Sequence, residues 1–194
     1  SVLTLIFGTI LGVVLALMRD SHIKVVSRLA QLYIWIWRGT PLMVQAFLIY
    51  FGLPNLGITF SAMTAGVLSM SLNTGAYIAE IVRSGIMSID QGQTEAGRSL
   101  GLNFTQTMRL IIIPQAFKNV LPALVNEFIV LIKETSIIGY IGMMDLTKGA
   151  MLIQSRTYNA FMPLLAAAAI YLIVVMVLTF FMNKLERRLR TSER

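Results

Sequence analysis

Glu95-Ala96-Gly97-Arg98-Ser99-Leu100-Gly101, running on through Leu102 to Pro114, Gln115 and Ala116, is the stretch on which the reading of this chain turns. It lies between two strongly apolar regions yet carries Glu95, Arg98 and Arg109, so it reads as a water-facing insert in a hydrophobic chain. Gln93 to Leu100 can form a short helix; Gly101 suits the left-handed conformation that ends one, and Asn103 can cap the next. Pro114 is then expected to break that second helix or turn it toward the bilayer. Ala96, Gly97 and Ser99 are small enough to admit another backbone, and Arg98 offers a forked donor to a carboxylate. On these residues alone, an amphipathic loop that merely joins two spans is a better reading than a docking site.

The rest of the chain is a membrane sequence. Of 194 residues, 56% are hydrophobic and 13% charged, against about 25% charged in ordinary soluble domains. The net charge of +7 comes from lysines and arginines that flank apolar runs, not from an aromatic-laced basic patch, so nucleic acid is not implied. With no cysteine and only His22, disulfides, iron-sulfur clusters and multi-ligand zinc sites are excluded or nearly so, and no metal site is expected. The chain opens on Ser1 directly into an apolar run, as a sequence lacking its natural start would, and Ser1 to Met18 has neither the basic leader nor the cleavage site of a signal peptide.

Taken in order, Ser1 to Met18 is uncharged and just long enough to span, with Gly8 and Gly12 spaced for close helix packing. Arg19, Asp20, Lys24 and Arg28 follow and mark the cytoplasmic side, which puts Ser1 outside. Val25 to Trp37 is either an interfacial elbow or the wet end of a long helix. Between Arg38 and Glu80 lie forty-one uncharged residues, enough for two crossings split at Pro54-Asn55-Leu56-Gly57. The second, roughly Ser61 to Val82, is dotted with Thr64, Gly66, Ser69, Ser71, Asn73, Thr74 and Gly75, which suit interior packing or the lining of a solute path. Glu80 and Arg83, three apart, are predicted to pair with each other.

Beyond the insert, Asn119 to Ile132 rises toward Lys133-Glu134-Thr135-Ser136, interrupted by Pro122, Asn126 and Glu127. At about 1.5 Å per residue, Glu134 lies on the order of 24 Å from Lys118, deep in the membrane or toward its outer half. A carboxylate there is a functional candidate, as is Glu127, although ties to Lys133 or to neighbouring loops would serve structure alone. Gly139 to Asn159 is too polar for a clean crossing and reads as a short external or partly re-entrant helix. Thr157 to Asn183 makes the last span, and Lys184, Arg187, Arg188, Arg190 and Arg194 place the C-terminus inside. The expected architecture is all-α, a single polytopic domain over residues 1–194 with about five transmembrane helices and a cytoplasmic loop over residues 84–118.

Glu95-Ala96-Gly97, three residues, Gly101, nine residues, then Ile111-Ile112-Ile113-Pro114 resembles the coupling loop of ATP-binding-cassette (ABC) importer permeases. The family pattern is Glu-Ala-Ala, a spaced glycine, then Ile, any residue, Leu, Pro; here Gly97 and Ile113 replace the third residue and the leucine. Arg38-Gly39-Thr40-Pro41, Ala76 to Arg83 and Lys133-Glu134-Thr135-Ser136 resemble segments of the branch that carries polar or basic amino acids. The resemblance implies a type I permease fold in a bacterial-type cytoplasmic membrane. It assigns Glu95, Ala96, Gly97, Arg98, Ser99, Gly101 and Pro114 to coupling with an ATPase. It further implies a second permease subunit, identical or related, two ATPase subunits that hold ATP and Mg, an extracytoplasmic solute-binding protein and an amino-acid substrate. A basic amino acid would find an acidic partner in Glu134, with Asn73, Asn126, Glu127 and Thr135 as further contacts along the path; glutamine or another neutral solute would use the amides and hydroxyls.

No Gly-Lys dipeptide occurs, so the phosphate-binding loop of an ATPase is missing. No catalytic triad or carboxylate pair is credible either, and the chain is expected to be a non-enzyme subunit with no cofactor of its own. A stand-alone secondary transporter would be expected to carry an inverted repeat, which is not visible, and a scaffold without transport would leave the spaced loop unexplained.

Overall fold

The computed structural model describes the backbone of residues 1–191 and side chains as far as Lys184; the basic residues Arg187, Arg188, Arg190 and Arg194 lie outside the described side chains. Every described element is helical. Helix α1 runs Val2–Arg19 and packs lengthwise on α4, Ala62–Met87. Its glycines make that approach possible: a Cβ at Gly8 would lie 2.9 Å from Thr74 Cγ2, and one at Gly12 would lie 2.7 Å from Ile78 Cβ. Gly75 of α4 answers them by receiving Leu11, whose Cδ2 would stand 2.8 Å from a Cβ there. In lipid, where apolar burial gives helices little reason to associate, this close backbone approach is what holds the pair.

Between them the chain makes a broken span. Helix α2, Lys24–Gly39, is a separate element set at 103° to the segment Leu42–Leu56, which comprises α3 (Leu42–Phe47), a wide π turn and a 3₁₀ turn. Pro41 has no N–H to continue the ladder and holds Thr40 extended at φ −121° and ψ 145°. The break is filled from within. Gln45 Nε2 reaches Trp37 O at 2.8 Å and Thr40 Oγ1 at 2.7 Å, and Asn73 Nδ2 reaches Trp37 O at 3.0 Å and Gln45 Oε1 at 2.9 Å. Buried amides thus satisfy the carbonyl that the interruption leaves free.

The two crossings expected from the forty-one uncharged residues are therefore unequal. The first is short and irregular, ending at Gly57, whose φ of +80° makes the turn. The second is 26 residues long, capped by Ser61 Oγ on Thr64 N and carried past Glu80 and Arg83 to Met87. The predicted Glu80–Arg83 pair does not form. Glu80 Oε1 instead binds Arg19 of α1 and, at 3.3 Å, Arg38 of α2, while Arg83 faces Asp20 at 4.0 Å. Local helical spacing lost to tertiary approach, because the ends of α1 and α2 both arrive on the Glu80 face.

After α4 come α5 (Gln91–Ser99), α6 (Phe104–Thr107), a π turn at Met108–Ile112 and α7 (Ile113–Glu134). Pro114 does not break the second helix as expected. It falls in the first turn of α7, where a missing N–H costs nothing, and the π turn just before it absorbs the mismatch. Thr135–Ile141 tightens into a 3₁₀ segment ended by Gly142 at φ +98°. Helix α8, Leu146–Thr157, is capped by Asp145 and leads into α9, Phe161–Thr191.

Among the described residues, only α1 and α9 pass by length and apolarity as clean spans, with the bent α2–α3 segment as a third. Helices α4 (26 residues) and α7 (22 residues) are long enough to cross but too polar to pass. The small and polar residues of α4 are mostly turned into the bundle, Ser69, Asn73, Thr74 and Ala76 all being buried, whereas the polar residues of α7 are half-buried or exposed.

Candidate functional site

The insert folds as a compact knuckle between α4 and α7. Asp90 Oδ1 accepts the Gly92 N–H at 2.7 Å and starts α5. At the other end the Leu102 N–H reaches Gly97 O at 3.1 Å and the Gly101 N–H reaches Arg98 O at 3.0 Å, with Gly101 at φ +83°. This is the Schellman pattern, which pairs the last free carbonyls of a helix only when the residue after the cap takes the left-handed form. Asn103 then opens α6 with a reciprocal capping box: its Oδ1 accepts Gln106 N at 2.9 Å and its N–H donates to Gln106 Oε1 at 2.9 Å.

The knuckle is tied to both long helices. Asn119 of α7 donates to Ser88 Oγ at 2.9 Å, and Gln115 donates to Gln93 Oε1 at 3.4 Å. A Cβ at Gly85 would overlap Val120 Cγ2, so α4 and α7 touch closely at the root. Of these contacts, Gln93–Gln115 joins α5 itself to α7, while Ser88–Asn119 and Gly85–Val120 join the ends of α4 and α7.

Glu95, Ala96, Arg98, Ser99 and Gly101 are exposed on the knuckle and Pro114 lies at its foot, where α7 begins. Gly97 is different. It is buried against its own chain, where a Cβ would lie 2.9 Å from Thr107 Cγ2 and 3.0 Å from Ile111 Cδ1. Its smallness admits α6, not a foreign backbone. Two residues that sequence reasoning passed over complete the exposed face: Leu100, 81% exposed, and Phe104, 67% exposed. Large apolar side chains beside Glu95 and Arg98 make an apolar centre with a charged rim, the composition of a protein-docking face. Their signal was available, since an apolar residue at a helix C-cap followed by a capping box has no core to enter in so short an element.

A second constellation lies on α7. Glu127 and Glu134, seven residues apart, share one face and are half-buried, with fully buried Leu131 between their turns. Asn126 and Lys133 share the neighbouring, exposed face, and Thr135 spends its hydroxyl on Ile132 O at 2.7 Å. Among the described residues no cationic side chain comes within 4.0 Å of either glutamate. Asn73 stands apart from this group, its two amide protons given to Trp37 and Gln45.

The third is the Arg19–Glu80–Arg38 cluster, in which one carboxylate serves two guanidiniums and Arg38 also lies over the Tyr77 ring at 5.2 Å. Glu80 is the sole carboxylate between Asp20 and Asp90. With that many basic residues before it, competition for Glu80 was legible in principle.

Residues 8–191 match the family of binding-protein-dependent transport system inner membrane components. The chain is 45% identical to a putative glutamine transport system permease of Rickettsia bellii, over 99% of this chain and 88% of that protein. It is 42% identical to the arginine transport system permease of Bacillus subtilis over the same shares. A solved amino acid ABC transporter with histidines superposes with a TM-score of 0.93 at 48% identity, covering 96% of this chain and 87% of the other. The methionine transporter MetNI in an inward-facing form shares the fold at a TM-score of 0.76 and 22% identity, covering 96% and 89%. The chain belongs to the binding-protein-dependent transport system inner membrane components, the membrane-embedded permeases of ABC importers.

Proposed function

We propose that this permease carries a polar amino acid, of the basic class, across the cytoplasmic membrane. It would work as one of a pair of permease subunits, identical or related, beneath an extracytoplasmic solute-binding protein and above two ATPase subunits that hold ATP and Mg. The observation that carries the basic class is the α7 face. Two carboxylates stand in a membrane-spanning helix and, among the described residues, neither has an ion-pair partner within 4.0 Å, the adjacent Lys133 included, and ionisable groups at that depth are costly unless something answers them. A cationic side chain on the solute would answer them, Glu134 first and Glu127 one stage along the path, with Asn126 and Thr135 at the margin. The 48% identity to a transporter solved with histidines supports the same class. Glutamine is the second reading, favoured by the Rickettsia relative's description.

In this reading the knuckle faces the cytoplasm, Ser1 faces outward and the C-terminus lies inside, as the basic residues beside each span favour. ATP is hydrolysed on the separate subunits. Its binding draws them together, α5 moves with them, Gln93 against Gln115 carries the motion into α7, and the Ser88–Asn119 and Gly85–Val120 contacts pass it between α7 and α4. Solute and nucleotide must favour different conformations for the cycle to turn.

The test is uptake into proteoliposomes holding the assembled importer, with arginine, histidine and glutamine compared. Glu134→Gln should raise the KM for arginine and histidine at least tenfold and leave glutamine little changed. Equal uptake of all three, untouched by Glu134→Gln, would remove the basic class.

A further inference from the structure

The cavity where the end of α1 meets α2 and α4 has no part in the coupling face or in the α7 carboxylates. It measures about 510 Å³ and is lined by Arg19, Gln31, Trp35, Arg38, Tyr77 and Glu80 among others. We propose that it holds the phosphate of an anionic phospholipid, whose acyl chains run along the neighbouring apolar stripe of α2.

The charge balance favours an anion. Arg19 and Arg38 bring two positive charges to the single negative charge of Glu80. Arg19 takes the closer contact. Arg38 is left at 3.3 Å from the same oxygen, with its side chain 41% exposed and propped on Tyr77. A guanidinium has five N–H donors in a fixed fork, so several on Arg38 remain unspent. Gln31 gives one amide proton to Ser27 Oγ at 3.1 Å and keeps a second. An oxyanion with several acceptor oxygens, seated between Gln31 and Arg38, satisfies both and neutralises the excess charge.

The surroundings favour a lipid as its owner. Gln31, Trp35 and Arg38 are spaced three to four apart, one stripe of α2. Beside it runs a second stripe, Val25, Leu29, Leu32 and Ile36, each at least 49% exposed. A headgroup in the first and hydrocarbon along the second fit a molecule that is charged at one end and apolar for the rest of its length. The level is right as well: Arg19 is the last residue of a clean span, Asp20 and Arg83 lie one turn beyond Glu80, and Trp35, 77% exposed, stands at the mouth. Tryptophan and arginine at a span's end sit at headgroup depth, and basic pockets between helices there bind anionic headgroups. A zwitterionic headgroup would bring its own ammonium against a cluster already positive.

The test uses the full chain, purified in detergent, with Trp37→Phe so that Trp35 is the only tryptophan left of the two. Its fluorescence is titrated with brominated phosphatidylglycerol or brominated phosphatidylcholine. The phosphatidylglycerol is expected to quench at a several-fold lower mole fraction. Arg38→Gln should abolish the difference, and Glu80→Gln, which frees both guanidiniums, should widen it, a gain that a misfolded protein would not show. Equal quenching by the two lipids overturns the proposal. So does a preference that survives Arg38→Gln, quenching reversed by free arginine or glutamine, or a stripe that neither lipid reaches because a second copy of the chain covers it.

Discussion

Gly97 and Thr107 are fitted to one another across the turn of the knuckle: the glycine's missing side chain is the space that the threonine methyl fills, with 2.9 Å between Thr107 Cγ2 and a Cβ placed at Gly97. Thr107 is fully buried and holds its hydroxyl on Asn103 O at 3.0 Å, so it cannot turn away freely. Gly97→Ala should therefore overpack the knuckle, at about 1–3 kcal/mol. Adding Thr107→Ser, which removes the methyl, should restore most of the loss. Thermal unfolding of the single and double variants checks it; equal destabilisation by both would mean that the two sites do not share the space.

Gly101 has open room around a Cβ but sits at φ +83°. Gly101→Ala then carries only the left-handed backbone cost, about 1–2 kcal/mol, and Gly101→Asn should cost less, since asparagine visits that region more readily. In the assembled importer both variants should loosen the link between ATP hydrolysis and uptake, measured as ATP consumed per solute carried, with alanine the worse.

At the root of the knuckle, Gly85→Ala drives a methyl into Val120. The expected result is a loss of stability that Val120→Ala relieves in the double variant. Non-additivity of opposite sign, or simple addition, would place the two helices further apart than described.

Asn73→Ala tests a division of labour. It would leave Gln45 Oε1, buried, without its donor, a loss of about 1–3 kcal/mol. Stability should fall while the KM for solute stays put. A rise in KM at unchanged stability would return Asn73 to the solute path.

How far the molecule was legible from its residues depends on the range of the interaction concerned. Short-range signals survived folding: Gly101 ends α5, Asn103 caps α6, Gly8 and Gly12 face another helix, and Leu146–Thr157 is a short separate helix. Where two local rules competed, folding chose by tertiary contact. Glu80 left Arg83, one turn away, for Arg19 and Arg38, which are remote in sequence. Pro114 was read as a breaker because its missing N–H was weighed without the π turn that precedes it. The bend at Pro41 was not legible, because a proline after Arg38 equally suits the first turn of a helix and Pro54 to Gly57 is the stronger breaker; its support, through Gln45 and Asn73, needed three helices to meet. Leu100 and Phe104 were passed over because an exposed apolar side chain carries meaning only once the surface around it is known.

Docking of an ATPase subunit on the α5 knuckle, as proposed, can be probed cleanly by thiol chemistry. The chain has no cysteine, so Leu100→Cys gives a single reactive thiol at the apolar centre of the proposed face. In membranes holding the assembled importer, that thiol should cross-link to the ATPase subunit with a short bifunctional reagent, and Tyr158→Cys, 96% exposed beyond α8, should not. If instead Leu100→Cys is labelled by a membrane-impermeant thiol reagent added outside intact cells and joins no ATPase, the knuckle faces the wrong way and the account fails.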